Sequence, residues 1–501
     1  MLFYSFSQVG ATSLLVSPDK DTLLVATPDA KIDSLRPVET SMPASYVPQM
    51  TWNSYTKAVV NAVAINLGVW SFDRFVLNTN YSRISLKTIS TNFSQLPVWD
   101  TDKFSTNLLM HPYHGSMYFN GARLNGFDFY ESVPFSLGGS LMWEYFMENE
   151  LPSINDLTAT TLGGTALGEV AFRLSDNILD NRAVGFNRFL REFVSGVLSP
   201  SRLFKRIETG EIWHRGKQKG NLESLIPIKV HLNLGYRLNY RKEDFEVRGG
   251  SITADIDYGD IFERETLKPY DWFQMRFQTD IIDAKPFVNH VNLIGVIHNG
   301  KLFEYKRMKF HGGLFQHFNF YQSHIKLKTG EYIVPYYISE VSAAGPGLLF
   351  EAHEKKIKID GKAFVSAILL GASYSDYIRI DDKDYNLGSG YSVKLNGNIH
   401  LSKRWSFSLN MEDYYLYTWK GADETIKYKD ISLKDWGKYS FQGDKSRAHL
   451  TVLEFRSHYQ LSDKFCVEVN SCQFLRKTKY KYFPNVTYAS FENFVSLGIN
   501  V

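Results

Sequence analysis

From about Ile226 to its last residue, the chain alternates apolar and polar side chains in run after run. Val230, Leu232, Leu234, Tyr236, Leu238 and Tyr240 are separated by His231, Asn233, Gly235, Arg237 and Asn239. Ile252 to Tyr258, Phe273 to Ile281, Tyr391 to Leu401 and Trp405 to Met411 follow the same rule. A period of two belongs to β-strands, whose successive side chains point to opposite faces. Several runs reach about ten residues, enough to cross a bilayer at barrel tilt. No stretch offers the roughly eighteen consecutive apolar residues of a transmembrane helix. The nearest, Ala58 to Leu77, carries Asn61, Asn66, Asp73 and Arg74. If such a chain enters a membrane it must do so as a closed barrel, because open sheet edges cannot be satisfied in hydrocarbon.

Alternation also fits a soluble sandwich, so the connections decide. Leu401-Ser-Lys-Arg-Trp405 and Leu461-Ser-Asp-Lys-Phe465 are near copies, each joining two long alternating runs. Between them lies a long polar stretch, about Lys420 to Arg447. Short turns at one end and long loops at the other are the outer-membrane arrangement. The chain closes on another alternating run, Val495, Leu497, Ile499 and Val501. We expect a mainly β fold: an outer-membrane antiparallel β-barrel of about twelve strands over 226–501, preceded by a helical domain. Strand placement is hardest over 300–362, where Gly312-Gly313 and Gly345-Pro346-Gly347 break the pattern.

Aromatic residues make up 15% of the chain, with 30 Tyr, 36 Phe and 9 Trp, as suits a wall meeting lipid. A formal charge of +3 with no basic block gives no support for a nucleic-acid partner. Cys466 and Cys472 would lie about 20 Å apart on one strand, too far to bridge, and read as inert thiols.

The first half differs. Met1–Ala11 is apolar and ends in Gly10-Ala11, so it reads as the remnant of a signal peptide, or else as an N-terminal strand. Residues 12–50, with Pro18, Pro28, Pro37, Pro43 and Pro48, read as an extended linker. Residues 51–205 form the helical domain, with helices expected over 56–77, 128–148, 156–178 and 185–197. Gly164 and Gly168, one turn apart, would let another backbone approach closely.

This domain carries a dense series of motifs: Trp99-Asp-Thr-Asp102, His111-Pro-Tyr-His-Gly115, Arg123, Ser140-Leu-Met-Trp-Glu144, Pro152-Ser-Ile-Asn-Asp156, Gly163-Gly164, Gly168-Glu169 and Arg173-Leu-Ser-Asp176. Over roughly 55–205 the series resembles a family of Gram-negative envelope proteins known only as a domain of unknown function. The resemblance implies an outer-membrane setting and supplies no reaction, substrate or active site.

Three chemistries compete for these residues. His111 and His114, with a carboxylate such as Glu144, could ligate a metal, although Pro112 argues against a regular helix through the pair. His111, His114 and Ser153 are the candidates for lipid hydrolysis, but no Gly-x-Ser-x-Gly elbow exists. The preferred reading is a charged structural network of Arg123, Glu144, Glu148, Asp156, Glu169, Arg173 and Asp176, since buried charges must be paired. No cofactor is expected. The helical domain is expected to plug the lumen or close its periplasmic mouth. The function expected is an envelope scaffold, an accessory subunit or a gated passage for solute or lipid. The partners would be outer-membrane lipid and other envelope proteins. The alternatives are an outer-membrane enzyme acting on lipid A or phospholipid through the His111 and His114 region, and a secreted all-β binding protein.

Overall fold

The computed structural model describes residues 52–100, 102–216, 226–241, 245–263, 267–281, 288–326, 332–354, 357–379, 383–422 and 443–501, with two short paired strands, Leu14–Val16 and Leu23–Val25. The signal-remnant reading and most of the linker fall outside these residues.

Twelve strands close into an antiparallel barrel. They are β1 (Ile228–Arg241), β2 (Phe245–Tyr258), β3 (Phe273–Asp280), β4 (Val288–Tyr305), β5 (Met308–Gln322) and β6 (Tyr337–Glu354). The remainder are β7 (Ile357–Tyr374), β8 (Tyr385–His400), β9 (Trp405–Thr418), β10 (Ser446–Gln460), β11 (Phe465–Tyr480) and β12 (Val486–Asn500). Each pairs with its neighbour in sequence, and the β12–β1 pair closes the ring. Closure leaves no free edge among these strands, which is what a spanning sheet requires. No helix is long and apolar enough to cross a membrane.

The described residues of 300–362, where strand placement is hardest from sequence, lie mostly in β4, β5, β6 and β7. The broken pattern there reflects register shifts in β4, β5 and β6, between Val296 and His298 and between Glu340 and Ala343. Such bulges swap the face of every later residue, so a strict period of two fails across them. Connections largely sort by length as anticipated. At the end holding the C-terminus, the terminal end, they span 306–307, 355–356, 401–404 and 461–464; at the far end they include 323–336, 375–384 and 419–445. The exceptions are 259–272, a long connection at the terminal end, and 242–244 and 481–485, short ones at the far end. Cys466 and Cys472 are free thiols on the same strand.

The two faces of the wall have different fates. Outward residues near the β12–β1 closure, among them Leu232, Leu234, Tyr236, Val495 and Leu497, are exposed, as lipid-facing groups would be in water. Inward residues fill the lumen in two layers. In the far half, Tyr321, Tyr336, Ile338, Ile368, Tyr414, Leu416, Leu450 and Phe474 pack into a buried apolar layer. The terminal half holds a polar cavity of about 910 Å³. There Arg276 reaches Glu454 at 2.7 Å and Asp255 at 3.6 Å, and Arg456 reaches Glu454 at 3.1 Å. The 259–272 connection folds over this cavity, where Ile261, Leu267 and Trp272 pack on the inward Val296, Phe315 and Phe364.

The helical domain contains α1 (Trp52–Phe75), α2 (Leu86–Ser94), α3 (His111–Arg123), α4 (Phe129–Met142), α5 (Ile154–Thr158), α6 (Gly164–Ile178), α7 (Gly185–Leu198) and α8 (Pro200–Glu208). It does not enter the lumen, and the expectation of a plug is corrected here. Phe104 packs on Phe320, Tyr337 and Tyr385, Phe129 on Tyr270, Gly163 on Val341, and the Arg173 guanidinium over Tyr258. Register assigns Phe320 with Ser339, and Tyr337 and Tyr385 with Tyr374, to the outward face; the inward face carries Asn319, Glu340 and Asn386. None of the residues lining the cavity comes from the helices. The physical reason is that the far half of the lumen is packed with its own inward side chains, while the outer wall from β2 to β8 offers an aromatic bed. The charged groups thought to face a polar lumen instead lie between helices or between the helices and the wall.

Candidate functional site

The motif region is assembled around one crossing. Gly115 of α3 and Gly164 of α6 lie so close that a Cβ on Gly115 would sit 1.8 Å from the Thr160 carbonyl oxygen, and one on Gly164 would sit 2.7 Å from Gly115. Gly168, one turn on, faces Phe119. The close backbone approach expected is present at Gly164, whereas Gly168 meets the Phe119 side chain, and the crossing brings the histidine motif against the segment carrying Asp156.

Pro112 does not interrupt the helix, contrary to the sequence reading. A π-turn over Thr106–Met110 runs directly into α3, and the His111 amide bonds to the Thr106 carbonyl. Pro has no N–H and its ring collides with the carbonyl four residues back in a regular helix. The wider π-turn places Pro112 in the first turn of α3, where a missing donor does no harm.

The two histidines part company. His114 Nε2 bonds the Tyr118 hydroxyl at 2.8 Å, its ring packs on Trp143, and burial pushes it down to about 3. It is a neutral packing residue. His111 faces the acidic cluster: its Nε2 lies 3.7 Å from Asp156 Oδ1, and its Nδ1 is 3.5 Å from the Thr160 hydroxyl. Burial lowers its basicity against the pull of Asp100.

Ser153 caps α5, its hydroxyl accepting from the Asp156 amide at 3.2 Å and donating to Asn155 Oδ1 at 2.9 Å. It bonds neither His111 nor His114, so no Ser–His pair exists there to make a nucleophile.

The expected charge network divides in two. Toward the terminal end it is compensated: Glu169 lies between Arg123 at 2.7 Å and Arg173 at 2.9 Å, which holds its carboxyl below the usual range against the effect of burial. Arg173 also reaches Asp271 of the barrel at 3.2 Å, and Asp176 pairs with Arg202 at 2.8 Å. Toward the far end Glu144, Glu148, Asp156 and Asp100 converge. Glu144 hydrogen-bonds Glu148 and accepts from the Ser153 amide at 2.7 Å. Burial pushes its carboxyl up to about 8, and burial together with the neighbouring acids raises Glu148 and Asp156 well above the carboxylate range. Asp100, Asn107 and Lys383 were not singled out by sequence as site residues. Asp100 sits in the Trp99-Asp-Thr-Asp102 motif, its only sequence signal, and Lys383 comes from a loop far along the chain. Lys383 Nζ donates to the Asp100 carbonyl oxygen at 3.0 Å, and burial drops this amine to about 8.

Chemically, an imidazole beside several carboxyls can take up a cation or hold and pass a proton. Asp100, His111 and Asp156 each present one donor atom within 4.8 Å of the others.

Solved structures similar to this chain are outer-membrane barrels. They include OmpT, an outer membrane protein of Vibrio cholerae (7% identity, TM-score 0.24, covering 55% of this chain and 99% of that one). The outer membrane channel DcaP of Acinetobacter baumannii follows at 7% identity and TM-score 0.23, covering 55% and 97%. The Pseudomonas putida toluene transporter TodX follows at 6% and 0.21, covering 55% and 88%. At these identities the likeness extends to the fold alone. No curated protein matches the chain in sequence. The motif-bearing segment is where a family is recognised: residues 96–201, which contain the histidine pair, Glu144, Asp156 and Glu169, match the family model described as a domain of unknown function (DUF3943).

Proposed function

We propose that the chain works in the outer membrane of a Gram-negative cell as an envelope scaffold, with the barrel anchoring the helical domain against its outer wall. The observation that carries this reading is the apolar layer across the far half of the lumen. Tyr336, Ile338, Tyr414, Leu416, Leu450 and Phe474 are each no more than 2% exposed and pack against one another there. A barrel packed in this way holds its shape and does not conduct. The docked helices then supply the surface and chemistry available to other envelope components.

A second reading, a gated passage, is favoured by the polar cavity beneath that layer. Tyr336 belongs to the 323–336 connection, and its hydroxyl reaches across to Glu492 at 2.8 Å, so a loop residue forms part of the seal. Reconstitution in planar bilayers separates the two. The scaffold predicts silence from both the wild-type chain and Tyr336→Ala. Steady conductance in the wild type overturns it, and conductance that appears only in Tyr336→Ala identifies a sealed passage.

A further inference from the structure

The helical domain treats its buried acids unequally. Glu169 receives two guanidinium partners, while Asp100, Glu144, Glu148 and Asp156 converge, with Lys383 Nζ on the Asp100 carbonyl oxygen beside them. A buried carboxylate cluster is stable only if it is neutralised by protons or by a cation. Its composition distinguishes it from an ordinary acidic patch, because an imidazole is part of it.

We propose that Asp100, His111 and Asp156 form a binding site for a divalent transition ion of the Zn²⁺ class. Their donor atoms lie within 4.8 Å of one another, so a small inward movement gives a coordination sphere. Asp156 is already oriented, because its Oδ1 accepts from the side-chain Nδ2 of Asn155 at 2.7 Å. Such outer hydrogen bonds are how metal ligands are usually held. A separate observation points to the same place. Asn107, one turn before His111, is completely buried; its Nδ2 donates to the Tyr385 hydroxyl at 2.6 Å, yet its Oδ1 has no partner. An amide oxygen on the helix face that carries His111 is suited to serve as a fourth donor. An imidazole with few ligands favours a Zn²⁺-like ion; Ca²⁺ takes about six to eight oxygens. Asp100 and His111 are only partly covered, which leaves an approach for the ion. This inference goes beyond the scaffold reading and does not depend on the barrel being closed.

The test uses the full chain purified in detergent, stripped with a chelator and dialysed against Zn²⁺, with Mn²⁺, Mg²⁺ and Ca²⁺ in parallel. The wild type is expected to retain one equivalent of Zn²⁺, and His111→Ala and Asp156→Asn to weaken binding by at least about 10-fold. Asp156 is buried, so its variant can misfold; Asp100→Asn, at a half-covered position, is the second variant. Heat-modifiable migration and helical circular dichroism report whether each variant is folded. The proposal is overturned if the wild type binds no stoichiometric Zn²⁺. It is equally overturned if folded His111→Ala and Asp100→Asn bind as well as wild type, or if Ca²⁺ is preferred and His111→Ala leaves that preference intact. Any of these results leaves the bilayer test of the scaffold unaffected.

Discussion

Single residues set the tolerances of the helical domain. At Gly115 even one methyl group would collide with the Thr160 backbone, which cannot swing aside as a side chain can. Gly115→Ala is therefore expected to destabilise the domain by about 1–3 kcal/mol, as overpacked cores do, seen as a lower midpoint of the helical signal in thermal denaturation. Glu144 tests the electrostatics. A carboxyl held at about 8 contributes stability that is complete below its unfolded value and is lost as pH rises through the folded one. In metal-free protein the helical midpoint should fall between about pH 5 and 8, and Glu144→Gln should flatten that fall. A slope unchanged in Glu144→Gln would assign it to Glu148 or Asp156. At the other end of the domain, Arg173→Ala leaves Glu169 with one partner and removes the reach to Asp271, so a loss of about 3–5 kcal/mol is expected for a broken buried pair.

At the scale of elements, what could be read from the sequence depended on whether a local period carried the information. The strands β1, β8, β9 and β12 were legible because each keeps its period of two without a break. Strands β4 to β6 were obscured by register shifts, which only the partner strand reveals. Helices α1, α4, α6 and α7 showed through, whereas α3 did not, because a proline rule framed for regular helices does not anticipate a π-turn. The site was half legible. His111, Glu144 and Asp156 stood in recognisable motifs and Asn107 lies one turn before His111, but Lys383 reaches the site from far along the chain. The face of the wall was readable and its neighbour was not: Phe320 and Leu497 are equally apolar, yet one meets Phe104 and the other is exposed. The docking depends on such aromatic contacts. Phe104→Ala removes a buried ring from three partners, at a cost of about 3–5 kcal/mol, and should raise protease sensitivity of the helical domain while the barrel stays heat-modifiable.

For the whole molecule, the helices run the height of the wall. Trp99 meets Trp419 and Lys383 meets Asp100 at the far end, while Arg173 meets Asp271 at the terminal end. They pack against part of the sector from β2 to β8, where Leu348, Val365 and Leu395 stay exposed, and leave free the closure between β12 and β1 with its exposed Leu232, Leu234, Val495 and Leu497. This placement has a consequence for biogenesis. A curved sheet of β2 to β8 can take on its helices before the ring is complete, and the last strands can zip together without displacing anything already seated. Had the helices lain across the β12–β1 pair, their docking and the final pairing would compete for the same strip of wall. Pulse-labelled chains arrested before closure should therefore already protect the helical domain, and a chain truncated after β8 should keep that protection while lacking the ring.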